Sequence, residues 1–183
     1  MLAHLHGMPL NASKIAGSLG VSGQTVTRYI DLLVDLFLVR RLMPWHSNIG
    51  KRLVRSPKVY VRDSGIVHAL LSITSLDDLF SHPIAGASWK GFVIDNLLSF
   101  LPVGTEYYFY GTARGAEIDL LIKTATNKLF AIEIKRPLSP KICKDVNPTH
   151  CYVVYDGSEK FSLGNNVYAI SLRCLLETLL KKQ

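Results

Sequence analysis

Asp119 and the triplet Glu133-Ile134-Lys135 set two carboxylates and an ammonium into two short runs of branched apolar residues, 118–122 and 129–134. A polar link, residues 123–128, separates the runs, which predicts two strands joined by a short turn. Side chains alternate faces along a strand. Glu117 and Asp119 therefore share one face of the first strand, and Glu133 and Lys135 share one face of the second. Ile118, Leu120, Ile122, Ile132 and Ile134 take the other face. With the strands as antiparallel neighbours, three carboxylates and an ammonium meet on one side of a sheet. Burying an unpaired charge is costly, so the cluster requires mutual pairing, a metal ion or an open cleft. A salt-bridge patch on an exposed edge hairpin satisfies the same spacing.

Asp119 followed by Glu133-x-Lys135 resembles the PD-(D/E)XK nuclease superfamily, in which an Asp on one strand and an acid-x-Lys on the next form the metal site. The wider pattern Gly115-Ala116-Glu117-Ile118-Asp119 with Ala131-Ile132-Glu133-Ile134-Lys135 is similar to the C-terminal domain that follows the ATPase module in many bacterial and archaeal AAA-type ATPases. The resemblance implies a restriction-endonuclease-like domain and a metal-dependent DNA nuclease. Asp119, Glu133 and the Ile134 carbonyl would then ligate Mg²⁺ or Mn²⁺, hard cations that take oxygen donors. Lys135 would hold the attacking water and the transition-state charge, and Glu117 would accept a water in the outer shell. Related sequences carry a Glu directly after the aromatic of a G-x-x-aromatic motif. Here Gly86-Ala87-Ser88-Trp89 is followed by Lys90. An ammonium at that position opposes a metal or replaces it with a salt-bridge cluster. The alternative function is therefore a non-catalytic, nuclease-like regulatory or protein-interaction module of an ATPase.

The elements that must position these groups place the chain in the α/β (α+β) class, with two domains, 1–83 and 84–183. In the second, Trp89, Phe92, Val93, Asn96, Leu97, Phe100 and Leu101 recur at helical spacing until Pro102 and Gly104 end the helix. Strands over 107–110, 118–122 and 129–134 follow. A short helix around 140–146, strands over 151–155 and 167–170, and a helix over 171–182 complete a mixed sheet flanked by helices.

The first domain reads as a winged helix-turn-helix. Ser13 caps a helix holding Ile15, Ala16 and Leu19, and Gly20 supplies the turn. Ser22 caps a second helix with Val26, Tyr29, Ile30 and Leu33 facing inward. Gln24, Thr25, Thr27 and Arg28 then lie at the front of that helix, where such motifs meet bases and phosphates. Strands over 36–42 and 58–61, linked by 46–57, make a hairpin wing. Its cations are Arg40, Arg41, Lys51, Arg52, Arg55, Lys58 and Arg62, with no acid among them until Asp63, and Lys51, Arg52 and Arg55 are the expected phosphate contacts. A helical pair that only packs against a neighbouring domain is the other reading. Residues 50–60 with Arg62-Asp63-Ser64-Gly65 resemble the same ATPase-linked family, which extends the resemblance over nearly the whole chain.

At 183 residues, 48% hydrophobic and 19% charged, the chain buries a substantial core. A net charge of +7 suits an anionic partner, most simply DNA. No apolar run reaches the length of a membrane span and residue 1 onwards lacks the order of a secretory signal, so the expected location is cytoplasmic, away from membranes. Cys143, Cys151 and Cys174 have no ligand-like spacing and read as reduced thiols. No G-x-x-x-x-G-K-[ST] occurs, so this chain does not itself hold ATP through a P-loop. The resemblance implies either a fragment whose AAA-type ATPase module is a partner in cis or in trans, or a family member without its motor.

Overall fold

The computed structural model describes residues 1–46, 53–135 and 146–181. Among them are six α-helices, a three-stranded sheet and a six-stranded mixed sheet, an α+β architecture. The chain divides into two compact units, Met1–Leu42 with Ser56–Phe92, and Met43–Arg55 with Val93–Gln183. The division falls inside a helix, and part of the expected wing groups with the second unit.

The first unit opens with a 3-10 helix, Leu2–Leu5, and a two-residue strand β1 (Met8–Pro9). Helices α1 (Ala12–Leu19) and α2 (Gly23–Asp35) follow, then β2 (Val39–Leu42) and β3 (Lys58–Val61). The sheet order β1-β3-β2 is antiparallel throughout. Gly20 takes φ 67° between the helices, a left-handed conformation that glycine adopts at little cost. Ser22 caps α2 by accepting the Thr25 N–H. The cap of α1 is Asn11, which accepts the Lys14 N–H at 2.9 Å, and Ser13 lies inside the helix. Ile15, Ala16, Val26 and Ile30 form the buried seam, with Leu2, Leu5 and Leu10 packed against it. Tyr29 is 63% exposed, against the expectation that it faces inward. A pair of short helices buries only a narrow stripe, and positions 26 and 30 fill it. The strand expected over 36–42 begins at Val39, because Phe37 takes φ 58° and breaks the extended run.

The basic run is partly consumed within this unit. Arg41 pairs with Asp31 of α2, an acid that the linear reading did not bring to it. The Arg62 guanidinium lies 5.7 Å from the Phe37 ring centroid. Helices α3 (Ser64–Leu70), capped by Asp63, and α4 (Leu76–Ser81), capped by Ser75, close a second cluster of Ala3, Val61, Val67 and Ile84.

His6 ties the N-terminal turn to β3. Its Nδ1 accepts the Val61 N–H at 3.1 Å, which fixes the proton on Nε2. Its ring meets Tyr60 edge to face at 5.2 Å. A Cβ added at Gly91 would stand 2.3 Å from His6 Nε2 and 3.3 Å from Tyr60 Cδ1. Gly91→Ala gains about 1 kcal/mol of helix propensity but drives out a ring held at its other nitrogen. The expected net loss is about 1–2 kcal/mol, read as a lower urea midpoint at unchanged slope.

Helix α5 (Ala85–Ser99) carries the division between units. The second unit continues with β4 (Glu106–Gly111), β5 (Glu117–Lys123), β6 (Leu129–Ile134), β7 (His150–Tyr155), β8 (Phe161–Gly164), β9 (Val167–Ser171) and α6 (Leu172–Lys181). The sheet order is β4-β5-β6-β7-β9-β8. β6, β7 and β9 run parallel; β4, β5 and β8 meet their neighbours antiparallel. The helix expected around 140–146 and Cys143 fall almost wholly outside the described residues. Cys151 is buried and Cys174 half-buried, both free thiols.

Residues on either side of the expected wing tip lie along the outer edge of β4. Trp45 N–H donates to Phe109 O at 2.7 Å, Phe109 N–H to Met43 O at 2.9 Å, and Val54 N–H to Gly111 O at 2.9 Å. This strap covers an edge strand that would otherwise present unpaired backbone groups. Trp45 and Leu53 pack against the cluster of Tyr110, Ile118, Leu121, Ala131 and Cys151.

Candidate functional site

The antiparallel register of β5 and β6 pairs Lys123 with Leu129, Ile122 with Phe130, Leu121 with Ala131 and Leu120 with Ile132. One residue further lie Asp119 and Glu133. There the Asp119 side chain crosses to β6, and its Oδ2 accepts the Ile134 N–H at 2.9 Å. That peptide nitrogen is bonded to the carbonyl carbon of Glu133, so the two acids flank one peptide unit. Lys135 Nζ lies 3.0 Å from Glu133 Oε1. Asp119 is 1% exposed and Glu133 7%, while the Lys135 side chain keeps 26% of its surface in water.

Asp119 stands at an irregularity. The β4–β5 register shifts so that Tyr108 pairs with Leu121 but Tyr110 pairs with Ile118, which puts an extra residue into β5 between 118 and 121. A bulge of this kind interrupts the alternation of faces. Ile118 accordingly joins Leu121, Ala131 and Cys151 in one cluster, not Leu120 and Ile122 as strict period two requires. Glu117, placed beside Asp119 by the same rule, is exposed at the start of the strand, where it pairs with Gly111. The bulge also explains how a charged side chain at 119 reaches a backbone N–H of the next strand.

A carboxylate that accepts a backbone N–H, as Asp119 does, has a fixed orientation, and with a second carboxylate beside it the site suits an oxygen-seeking dication. Among the described residues no three or more His, Cys, Asp and Glu side chains converge as a metal centre. A cation here would rest on two carboxylates, the Ile134 carbonyl and water, which is within the habit of Mg²⁺. Lys90 is half-buried on α5, in the portion that groups with the first unit, whereas Asp119, Glu133 and Lys135 all belong to the second.

On α2, Gln24, Thr27 and Arg28 are exposed and Thr25 half-buried. The Thr25 hydroxyl lies 2.9 Å from Ser22 Oγ, and the Thr27 hydroxyl donates to Gly23 O at 3.0 Å. Thr25 and Arg28 line, with Tyr29 and Leu32, a concavity of about 490 Å³. Arg55 is exposed on the strap, and Lys51 and Arg52 lie outside the described residues. The linear reading missed the strap itself. Its signal was present in Pro44-Trp45 and Leu53-Val54, apolar pairs on both sides of the basic stretch.

Residues 1–77 match a family described as Domain of unknown function (DUF8612), and residues 85–175 match Domain of unknown function (DUF4143). The chain is 39% identical over 185 residues to Uncharacterized protein Mb2031c of Mycobacterium bovis and, equally, to Uncharacterized protein Rv2008c of Mycobacterium tuberculosis. These alignments cover 97% of this chain and 42% of each relative, so the chain spans less than half their length. No solved structure matches. Among the described residues no helix is long and apolar enough to cross a membrane.

Proposed function

We propose that this chain, whose two halves match domains of unknown function, is a nucleic-acid-binding protein with a restriction-endonuclease-like site for metal-dependent cleavage of DNA. The observation that carries this reading is the buried Asp119 carboxylate fastened to the Ile134 N–H, between Glu133 and Lys135. Asp119, Glu133 and the Ile134 carbonyl would hold Mg²⁺ or Mn²⁺, which when bound supplies an activated water and offsets phosphate charge. The chain's own contribution is a fixed carboxylate, a neighbouring acid with little exposure, and the Lys135 ammonium as a positive charge for the oxygen on which charge develops. The element order β1-α1-α2-β2-β3, with β3 central, supports a winged helix-turn-helix for the first unit. Exposed Gln24, Thr27 and Arg28 on α2 then approach DNA. The greater length of the mycobacterial relatives is compatible with the further proposal that the chain is the C-terminal part of an AAA-type ATPase-family protein acting in the cytoplasm.

A second reading, a non-catalytic module of such an ATPase, is favoured by one contact. Lys135 already neutralises Glu133 at 3.0 Å, so a cation must compete with an ammonium for that carboxylate. Incubation of the protein with supercoiled, linear and single-stranded DNA in Mg²⁺, Mn²⁺ or EDTA separates the two. Metal-dependent cleavage that Asp119→Asn abolishes is the expected result. DNA left intact under every condition would establish the module.

A further inference from the structure

We propose that Arg55 and Arg114 form a phosphate-binding pair at the end of the six-stranded sheet that carries Asp119, Glu133 and Lys135. The inference rests on the nucleic-acid reading above and extends it to residues outside the acid-x-Lys pattern.

The topology selects one end of the sheet. Glu133 closes toward the carboxyl end of β6, and Asp119 lies near the amino end of β5, its antiparallel neighbour. The turn joining β4 to β5 is at that same end, since Gly111 pairs with Glu117. Arg114 sits in this turn, and the turn is held tightly. Thr112 N–H donates to Ala116 O at 2.9 Å, Gly115 N–H to Thr112 O at 3.0 Å, and Ala116 N–H to Thr112 Oγ1 at 3.1 Å. Gly115 adopts φ 85°, which the turn requires and a side chain would strain.

Arg55 arrives at the same end along the strap. Leu53 bridges Thr112 antiparallel, and the Val54 N–H bond to Gly111 O fixes the backbone immediately before Arg55. The strap approaches closely because Gly111 has no side chain; a Cβ there would stand 3.3 Å from Val54 Cγ2 and 3.2 Å from the Phe109 ring. Arg55 is therefore one strand beyond β4 and two beyond β5, about 10 Å from the strand that carries Asp119. Both arginines are exposed, and neither pairs with a carboxylate among the described residues.

Two exposed guanidiniums on anchored backbone, beside buried acids that repel phosphate, supply what a polyanion needs to stay at the site. Guanidinium presents a planar fork to phosphate oxygens. The strap gives the basic stretch a different task from a projecting wing, since its Arg55 end belongs to the unit that holds the carboxylates.

The test measures binding of fluorescein-labelled DNA, duplex and single-stranded, by anisotropy over a salt series in EDTA, so that cleavage does not intervene. The proteins are wild type, Arg55→Gln, Arg114→Gln, the double variant, and Arg173→Gln as a control on α6, where Arg173 pairs with Glu177 at 3.4 Å. Each single variant is expected to weaken binding about three- to tenfold and to lower the salt slope by about 1, with the double variant near the sum. The control should match wild type. Wild-type affinity and slope in the double variant would overturn the inference and leave the nucleic-acid reading standing. Absence of DNA binding by the wild type would overturn both.

Discussion

Lys135→Met in metal-free buffer is expected to destabilise the protein by about 2–3 kcal/mol. Removing one partner of a buried ion pair leaves the other charged in a poor solvent, at a cost of about 3–5 kcal/mol when both are fully buried. Here the Glu133 side chain is 9% exposed but that of Lys135 is 26% exposed, which lowers the expectation. Methionine keeps most of the apolar stem, so the loss reports the charge. The same variant distinguishes the two functional readings. In a metal site Mn²⁺ takes the place of the ammonium at Glu133, and stability recovers in proportion to RT ln(1 + [L]/Kd). Urea titrations with and without Mn²⁺ read both effects. Loss without recovery is the behaviour of a salt-bridge module, and no loss at all would make the pair a solvated surface contact.

Stability should also fall by about 3 kcal/mol between pH 7 and pH 4 through His6 alone. Burial pulls this imidazole from 6.5 down to about 4, and the nearby His68 acts in the same direction, while the Ala87 carbonyl opposes. The hydrogen bond gives the reason in atoms: Nδ1 faces the Val61 N–H, so a proton on that nitrogen would set two donors against each other. In the unfolded chain His6 binds a proton below about 6.5, and in the folded chain only below about 4. The unfolded state therefore holds more protons across this window, and stability is lost as pH falls through it, levelling off below about 4. Other groups titrate in the same range, so the informative quantity is the difference from His6→Asn, whose side-chain oxygen accepts the same N–H and takes no proton. Wild type should lose about 3 kcal/mol more than the variant. Parallel curves would mean that His6 is protonated in the folded protein.

Much of this architecture can be read along the chain, and the failures have local causes. Branched apolar runs locate β5 and β6 to within a residue because side-chain periodicity and strand propensity agree there. Ser22 is legible as a cap because it directly precedes a helical run. Asn11 and Ser13 both have capping chemistry, and spacing does not choose between them. Tyr29 sits at a helical repeat from Val26 but finds no partner surface in its unit, so periodicity overstates its burial. β1 and β8, at two and four residues, are too short to carry a pattern. Asp31 meets Arg41 only through the fold. At the candidate site, the pairing of acids across two strands follows from alternation, whereas the bulge at which Asp119 stands follows from the β4 register, which is long-range.

Calorimetric titration with Mn²⁺ tests the central claim most directly, because it asks whether the carboxylates bind a dication before any substrate is chosen. Wild type should give a saturable heat for one ion, and Asp119→Asn, which keeps an acceptor for the Ile134 N–H but removes the charge, should fold normally and lose that heat. No saturable heat in wild type, or the same heat in Asp119→Asn, would contradict a metal site at Asp119 and Glu133.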